Sequence, residues 1–136
     1  MTTKPFFEAT RTIRLADTDA AGILYFARAL DLAHSVYEEW IAENGWNFSE
    51  LLFELDWKVP IVHAEVTHEA PCEVGDELTV RLEPERVGTT SFTLGYTFRK
   101  AERVVIRAST THVTVDKESG RPRPLDERVR ASLDGS

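Results

Sequence analysis

The hydrophobic pattern of the chain changes its period along the sequence. From about Phe7 to Ala16 apolar and polar positions alternate, which predicts a half-buried strand in which Arg11 breaks the apolar parity. From about Phe26 to Asn44 apolar residues recur at three- and four-residue steps, which predicts one long amphipathic helix. The expected apolar stripe of that helix consists of Phe26, Leu30, Ala33, Tyr37, Trp40 and Ile41. Gly45 follows it as a residue suited to a left-handed C-cap.

After Pro60 the pattern returns to a period of two. Alternation over 63–69, 78–83 and 92–98, followed by a long mixed segment at 104–115, predicts four further strands. A short polar helix is expected near Asp126 to Leu133. We expect the four strands to form a meander, so that the fold class is α+β with a five-stranded antiparallel sheet. One helix cannot cover both faces of that sheet, so we expect the sheet to wrap around the helix and its edge to pair with a second copy.

Length and composition narrow the function classes. The 136 residues fit a single domain over the whole chain. The formal net charge of -7 argues against a nucleic-acid partner and against an anionic membrane surface. Cys72 is the only cysteine, which excludes an intrachain disulfide, and the histidine spacings match no zinc pattern. We therefore expect no metal and no cofactor. With no apolar stretch like a signal peptide or a membrane span, the expected location is the cytoplasm.

Two carboxylates lie between the first strand and the long helix. Asp17 and Asp19 are two residues apart, and Gly22 and the aromatic pair Tyr25-Phe26 follow them. Asp is common in turns and at N-caps, and Gly22 could serve a tight turn alone. The spacing by itself therefore leaves a structural and a catalytic interpretation open.

The segment resembles the signature of the 4-hydroxybenzoyl-CoA thioesterase branch of the hotdog-fold superfamily. That signature is Asp-x-Asp-x-x-Gly, two apolar residues and Tyr, and the resemblance continues through Pro60-Ile61-Val62 and Thr90-Ser91-Phe92 over nearly the whole chain. It implies a hotdog fold and an acyl-CoA hydrolase in which Asp19 is catalytic and Asp17 ties down the loop. Two departures are Ala20, where the family often has Pro, and Phe26, where many relatives acting on aliphatic substrates have His.

The resemblance also implies a set of substrate contacts. Within the branch the chain is most similar to hydrolases of 1,4-dihydroxy-2-naphthoyl-CoA, which implies an aromatic acyl group. A backbone N–H around Tyr25 or Phe26, at the start of the helix, is the expected donor to the thioester carbonyl. The expected substrate-binding residues are Gly22, Tyr25, Phe26, His63, Thr90 and Ser91. The expected assembly is a homodimer or a dimer of dimers with the site at the subunit interface.

Several alternatives stay open at this point. Asp19 can attack the thioester carbonyl or activate a water. The substrate can instead be a short or medium aliphatic acyl-CoA. A hotdog domain that binds acyl-CoA or an acyl carrier without hydrolysis is a different class, against which the full motif around Asp19 argues. A hotdog dehydratase uses a His with an acidic partner, which is not the signature found here.

Overall fold

The computed structural model describes residues 6–134. Its helices are α1 (Arg28–Glu43) and α2 (Glu127–Asp134). Its strands are β1 (Phe7–Thr12), β2 (Trp57–Lys58), β3 (Ile61–His68), β4 (Glu77–Val87), β5 (Ser91–Lys100), β6 (Arg103–Val113) and β7 (Val115–Asp116). Short helical segments cover Leu15–Asp17 and Glu50–Glu54. Within residues 6–134, no helix is long and apolar enough to cross a membrane.

Five strands form one antiparallel sheet in the order β1-β4-β5-β6-β3, with β2 and β7 paired separately. The predicted meander is confirmed for β4, β5 and β6, but the prediction that it includes β3 as a fourth strand is wrong. Because β1 and β5 occupy the two edges of β4, β3 pairs with β6 instead, with Ala64 opposite Thr110 and Val66 opposite Ala108. The sheet therefore ends at β1 on one side and at β3 on the other.

One face of this sheet packs against α1 and forms the core. The central strands contribute the buried side chains Leu78, Val80, Leu82, Phe92, Leu94, Tyr96, Phe98, Ile106 and Ala108. The helix contributes Ala29, Leu32, Ala33 and Val36 as its buried face. The predicted apolar stripe is therefore confirmed at Ala33. The buried face of the helix is rotated relative to the rest of the prediction, because Leu30, Tyr37, Trp40 and Ile41 are only half-buried at its flank. Phe26 precedes α1 and is 61% exposed.

The first strand explains the parity break at Arg11. Arg11 lies opposite Leu78 on the face that meets α1, and its guanidinium donates to Ser35 Oγ at 3.1 Å and pairs with Glu39. The strand ends at Thr12 rather than at Ala16, and Leu15 is 76% exposed, so its predicted place on the apolar side is wrong. The helical turn Leu15–Asp17 replaces the predicted end of the strand and turns the chain toward α1.

Gly45 tests the predicted cap at the end of α1. Its φ is +83°, and a Cβ added there would meet no atom within 4 Å. A substitution therefore adds left-handed backbone strain without a clash. We expect Gly45→Ala to lower the free energy of unfolding by about 1–2 kcal/mol and Gly45→Asn by less, measured by urea denaturation. Equal losses for Ala and Asn would contradict this account of the cap.

Candidate functional site

Asp17 anchors the segment between β1 and α1. Its side chain is almost completely buried, and Oδ2 accepts the Arg14 backbone N–H at 2.9 Å. The Arg14 guanidinium reaches Oδ1 at 3.2 Å, and Arg28 Nε lies 3.8 Å from the same oxygen. Burial alone would raise the pKa of Asp17, but the hydrogen bonds from Arg14 and the charges of Arg14 and Arg28 outweigh it and lower that pKa. Asp17 is therefore an ionised structural carboxylate, the role implied by the resemblance.

Asp19 lies two residues further on and is exposed. Its Oδ1 accepts the backbone N–H groups of Ala21 at 2.9 Å and of Ile23 at 3.1 Å. The turn is closed by the Asp19 N–H, which donates to the Ile23 carbonyl at 2.8 Å, and by Gly22, whose φ of +78° favours glycine. Among residues 6–134, Oδ2 of Asp19 has no hydrogen-bond partner. The loop thus orients the carboxylate through one oxygen and leaves the other available.

The start of α1 offers a free backbone donor beside this loop. The Tyr25 N–H donates to the Asp17 carbonyl at 2.8 Å, so it is already used. The Phe26 N–H makes no hydrogen bond within residues 6–134. Of the two predicted donors, the structure leaves only Phe26 available, at the positive end of the helix dipole. The side chains of Tyr25 and Phe26 are 56% and 61% exposed, which leaves flat aromatic surface beside the loop.

His68 is a residue of this site that sequence reasoning missed. Its ring stacks on Phe26 with 4.9 Å between ring centroids, and its Nε2 is buried without a partner among residues 6–134. It shares the inner face of β3 with Ala64 and Val66, opposite Ile106 of β6. The sequence carried a signal for this position, because His68 has the same parity as the apolar residues Ala64 and Val66, whereas His63 lies on the other face.

The Asp19 loop lies at one end of the sheet. The Leu24 N–H donates to the Cys72 carbonyl at 2.7 Å, and the Val74 N–H donates to the Gly22 carbonyl at 3.1 Å. These bonds hold the loop against the chain that leads into β4. Cys72 is buried, as the sequence suggested, and burial raises the pKa of its thiol.

The other predicted substrate contacts lie at the opposite end of the sheet. Thr90 and Ser91 follow the Val87 end of β4. At ~3.3 Å per residue, this end is about 33 Å from the Glu77 end, beside which the Asp19 loop lies. His63 is opposite Thr111, on the outer face of β3, and its Nε2 lies 3.3 Å from Glu65 Oε1. Within one protomer the structure therefore groups Gly22, Tyr25 and Phe26 with Asp19, but not His63, Thr90 or Ser91.

The paired Asp17 carboxylate makes a testable contribution to stability. Because its pKa is lowered in the folded state, its stabilisation is present above the unfolded pKa of about 3.9 and is lost as pH falls through the folded pKa. We expect Asp17→Asn to cost about 1–3 kcal/mol at pH 7, with the difference from wild type vanishing in acid. Chemical denaturation across pH 2–7 measures it, with exposed Asp31→Asn as a control that costs about 0–1 kcal/mol. A cost that is unchanged in acid would contradict the assigned charge.

Comparison with known proteins identifies the family of this chain. The model of the Thioesterase-like superfamily matches residues 13–133. The 1,4-dihydroxy-2-naphthoyl-CoA hydrolase of Nostoc punctiforme is 37% identical over 90% of this chain and 83% of its own. That of Synechococcus sp. strain CC9605 is 33% identical over 100% of this chain and 95% of its own. The crystal structure of Slr0204, a 1,4-dihydroxy-2-naphthoyl-CoA thioesterase from Synechocystis, superimposes with a TM-score of 0.89 at 30% identity, covering 95% of this chain and 96% of that one. The chain therefore belongs to the Thioesterase-like superfamily and has its hotdog fold.

Proposed function

We propose that this single-domain protein hydrolyses the thioester of an aromatic acyl-CoA to the free acid and CoA, with Asp19 as the catalytic carboxylate. The observation that carries the proposal is the Asp19 carboxylate, held through Oδ1 and free at Oδ2, beside the unpaired Phe26 N–H at the start of α1. The relatives named 1,4-dihydroxy-2-naphthoyl-CoA hydrolase support the aromatic substrate class. We further propose the cytoplasm as its location.

The two groups divide the chemistry of thioester cleavage. The Phe26 N–H, reinforced by the dipole of α1, hydrogen-bonds the thioester oxygen as negative charge develops there. The Asp19 carboxylate either takes a proton from an attacking water or attacks the carbonyl carbon and forms an anhydride that water then opens. By either route the carbon–sulfur bond breaks, the CoA sulfur leaves as a thiolate and takes up a proton, and the oxygen of water ends in the acid products. No metal or cofactor is needed for these steps.

A second copy of the chain is proposed to complete the site. Strand β3 is a sheet edge, and its residues 61–65 and 67 are exposed. Antiparallel pairing of two β3 strands about a two-fold axis gives these edge groups partners. It also places the Ile61 end of one β3 next to the His68 end of the other. The Asp19 loop and Phe26 of one subunit then lie beside the end of the sheet that carries Thr90 and Ser91 in its partner.

The proposed β3-paired dimer determines which of the predicted substrate contacts we retain as proposals. Thr90 and Ser91 form part of the Gly88–Ser91 turn, where the Gly88 N–H donates to the Ser91 carbonyl at 2.7 Å and the Gly88 carbonyl accepts from Arg130 at 2.9 Å. An arginine beside this turn supports a role near the phosphates of CoA. A contact between His63 and the substrate stays a prediction, since its side chain lies on the outer face of β3.

Replacement of Asp19 tests the central claim. Asp19→Asn keeps the size of the side chain and the amide oxygen that can accept the two loop N–H groups, but it removes the charge. We expect kcat for an aromatic acyl-CoA to fall by at least about a hundredfold while KM and Tm stay near wild type. Released thiol measures the rate. Asp17→Asn is the matched control, and it should lower Tm and leave more of the activity.

One outcome would contradict the catalytic assignment. If Asp19→Asn kept more than about a tenth of wild-type kcat on every thioester that wild type cleaves, the loss would be too small for a general base or nucleophile. The loop would then be a structural turn, and the proposal would fail at Asp19.

The proposed dimer makes its own prediction. Ala64 is exposed near the middle of β3, so Ala64→Asp brings two carboxylates together close to the two-fold axis. Like charges across paired strands are destabilising, and we expect the dimer to dissociate at least about tenfold more readily, with activity falling in step. Sedimentation velocity at micromolar concentrations measures it, with exposed Thr79→Asp on β4 as the control. A wild-type protein that sediments as a monomer in the same range would refute β3 pairing.

A further inference from the structure

The Phe26 N–H is held in place by few contacts of its own residue. The hydrogen bonds on either side belong to its neighbours, since the Tyr25 N–H donates to the Asp17 carbonyl at 2.8 Å and the Arg28 N–H donates to the Tyr25 carbonyl at 2.9 Å. Phe26 precedes α1, and its side chain is 61% exposed. A donor that stabilises a developing negative charge must be oriented before the reaction. Contacts of the Phe26 side chain are therefore important for the direction of its N–H.

The side chain of Phe26 is contacted by His68. The two rings are stacked, with 4.9 Å between centroids and 24° between planes. His68 is the last residue of β3 and lies opposite Ile106 of β6, and the following N–H, that of Glu69, donates to the Val105 carbonyl at 2.8 Å. The imidazole thus projects from a strand that is hydrogen-bonded to β6. Because a strand positions a side chain more precisely than a loop does, His68 is a firm support for the Phe26 ring.

The nitrogen atoms of His68 do not contribute to this contact. Nε2 is buried and has no hydrogen-bond partner among residues 6–134. Nδ1 makes no hydrogen bond in that part of the chain either. A buried polar atom without a partner destabilises the folded state, and a phenyl ring in the same place would stack on Phe26 without that cost. The imidazole therefore acts here as a flat ring.

We propose that His68 is a positioning residue for hydrolysis, because its ring holds Phe26 in the orientation in which the Phe26 N–H meets the thioester oxygen. The inference rests on the proposed thioesterase function. In this role His68 touches no reacting atom and acts through Phe26, by limiting the motion of that side chain and of the backbone that carries it. The hydrogen bond strengthens as charge develops in the transition state, so loss of orientation lowers kcat more than it raises KM.

Removal and replacement of the imidazole separate ring stacking from hydrogen bonding. His68→Ala removes the ring, whereas His68→Phe keeps a ring without nitrogen. We expect His68→Ala to lower kcat for 2-naphthoyl-CoA by at least about tenfold, with KM changed by less than about threefold. We expect His68→Phe to keep kcat within about threefold of wild type and to raise Tm, because the unpartnered nitrogen is gone. Equal losses of kcat in the two variants would overturn the role of the ring.

A neighbouring position on β3 supplies the matched control. Thr67 precedes His68 in the chain, is exposed and points to the opposite face of the sheet. We expect Thr67→Ala to keep kcat and KM within about twofold of wild type. A loss of kcat in Thr67→Ala as large as that in His68→Ala would show that any change in this strand disturbs the site, and it would overturn the specific role of His68.

A double-mutant cycle tests whether His68 acts through Phe26. Phe26→Ala keeps the backbone N–H but removes the ring on which His68 stacks. We expect His68→Ala to lower kcat by about tenfold in the wild-type background and by less than about twofold in the Phe26→Ala background. If the two losses multiplied independently in the double variant, His68 would act by another route and the proposal would be overturned.

The mobility of the Phe26 N–H is a readout that needs no turnover. Its NMR order parameter reports motion on the picosecond-to-nanosecond timescale. We expect the value for a rigid backbone, about 0.85, in wild type and in His68→Phe, and a value below about 0.6 in His68→Ala. The amide of Val80, in the buried part of β4, is the internal reference and should not change. The same order parameter for Phe26 in all three proteins would overturn the positioning role.

This measurement distinguishes failure of the positioning role from failure of the proposed function. If wild type cleaves no aromatic acyl-CoA while the Phe26 amide loses order only in His68→Ala, the thioesterase proposal fails and the support of Phe26 by His68 is upheld. If wild type cleaves the thioester and His68→Ala keeps both its kcat and the order of the Phe26 amide, the function is upheld and the role of His68 is overturned.

Discussion

The unpaired edge of β3 is the constraint on which the rest of the structure depends. A single helix covers one face of a five-stranded sheet, and the order β1-β4-β5-β6-β3 leaves β3 with a free row of backbone groups and few buried side chains. The proposed pairing of that edge with a second copy would give those groups hydrogen-bond partners. In the proposed antiparallel dimer, the Asp19 loop of one subunit would also lie beside the Thr90–Ser91 end of the sheet of its partner. In this proposal the stability of the sheet edge and the assembly of the site depend on the same contact.

Asp17 and Asp19 have different surroundings although they lie two residues apart in one loop. Asp17 is buried and neutralised by Arg14 and Arg28, and its carbonyl accepts the Tyr25 N–H, so it ties the end of β1 to the start of α1. That bond uses the Tyr25 donor and leaves the next one, at Phe26, without an acceptor. Asp19 gains its orientation from two N–H groups of its own turn and keeps one oxygen free. The first carboxylate fixes the turn that orients the second, and of the two only Asp17 is buried and paired with arginines.

Local features of this fold could be predicted from the sequence, and long-range ones could not. The change from a period of two to three- and four-residue steps located β1 and α1, and the Asp17–Phe26 motif predicted the loop, because both depend on residues close in sequence. The pairing of β3 with β6 depends on β1 occupying the far edge of β4, which no local pattern records. His68 was missed for a related reason. It contacts Phe26 across about forty residues of chain, which no local pattern records.

His112 makes the stability of the core depend on pH. Burial, with a smaller contribution from the charge of His34, lowers the pKa of His112 to about 4 from 6.5, so the imidazole is neutral at pH 7. Because the folded state holds the neutral form, the free energy of unfolding is highest above about pH 6.5, and it falls as the pH falls from there toward 4. A charged ring between Phe92 and Tyr37 would have no counter-ion in the contacts that surround it. The neutral His112 imidazole is fully buried and packs against the rings of Phe92 and Tyr37, so its role is in the packing of the core.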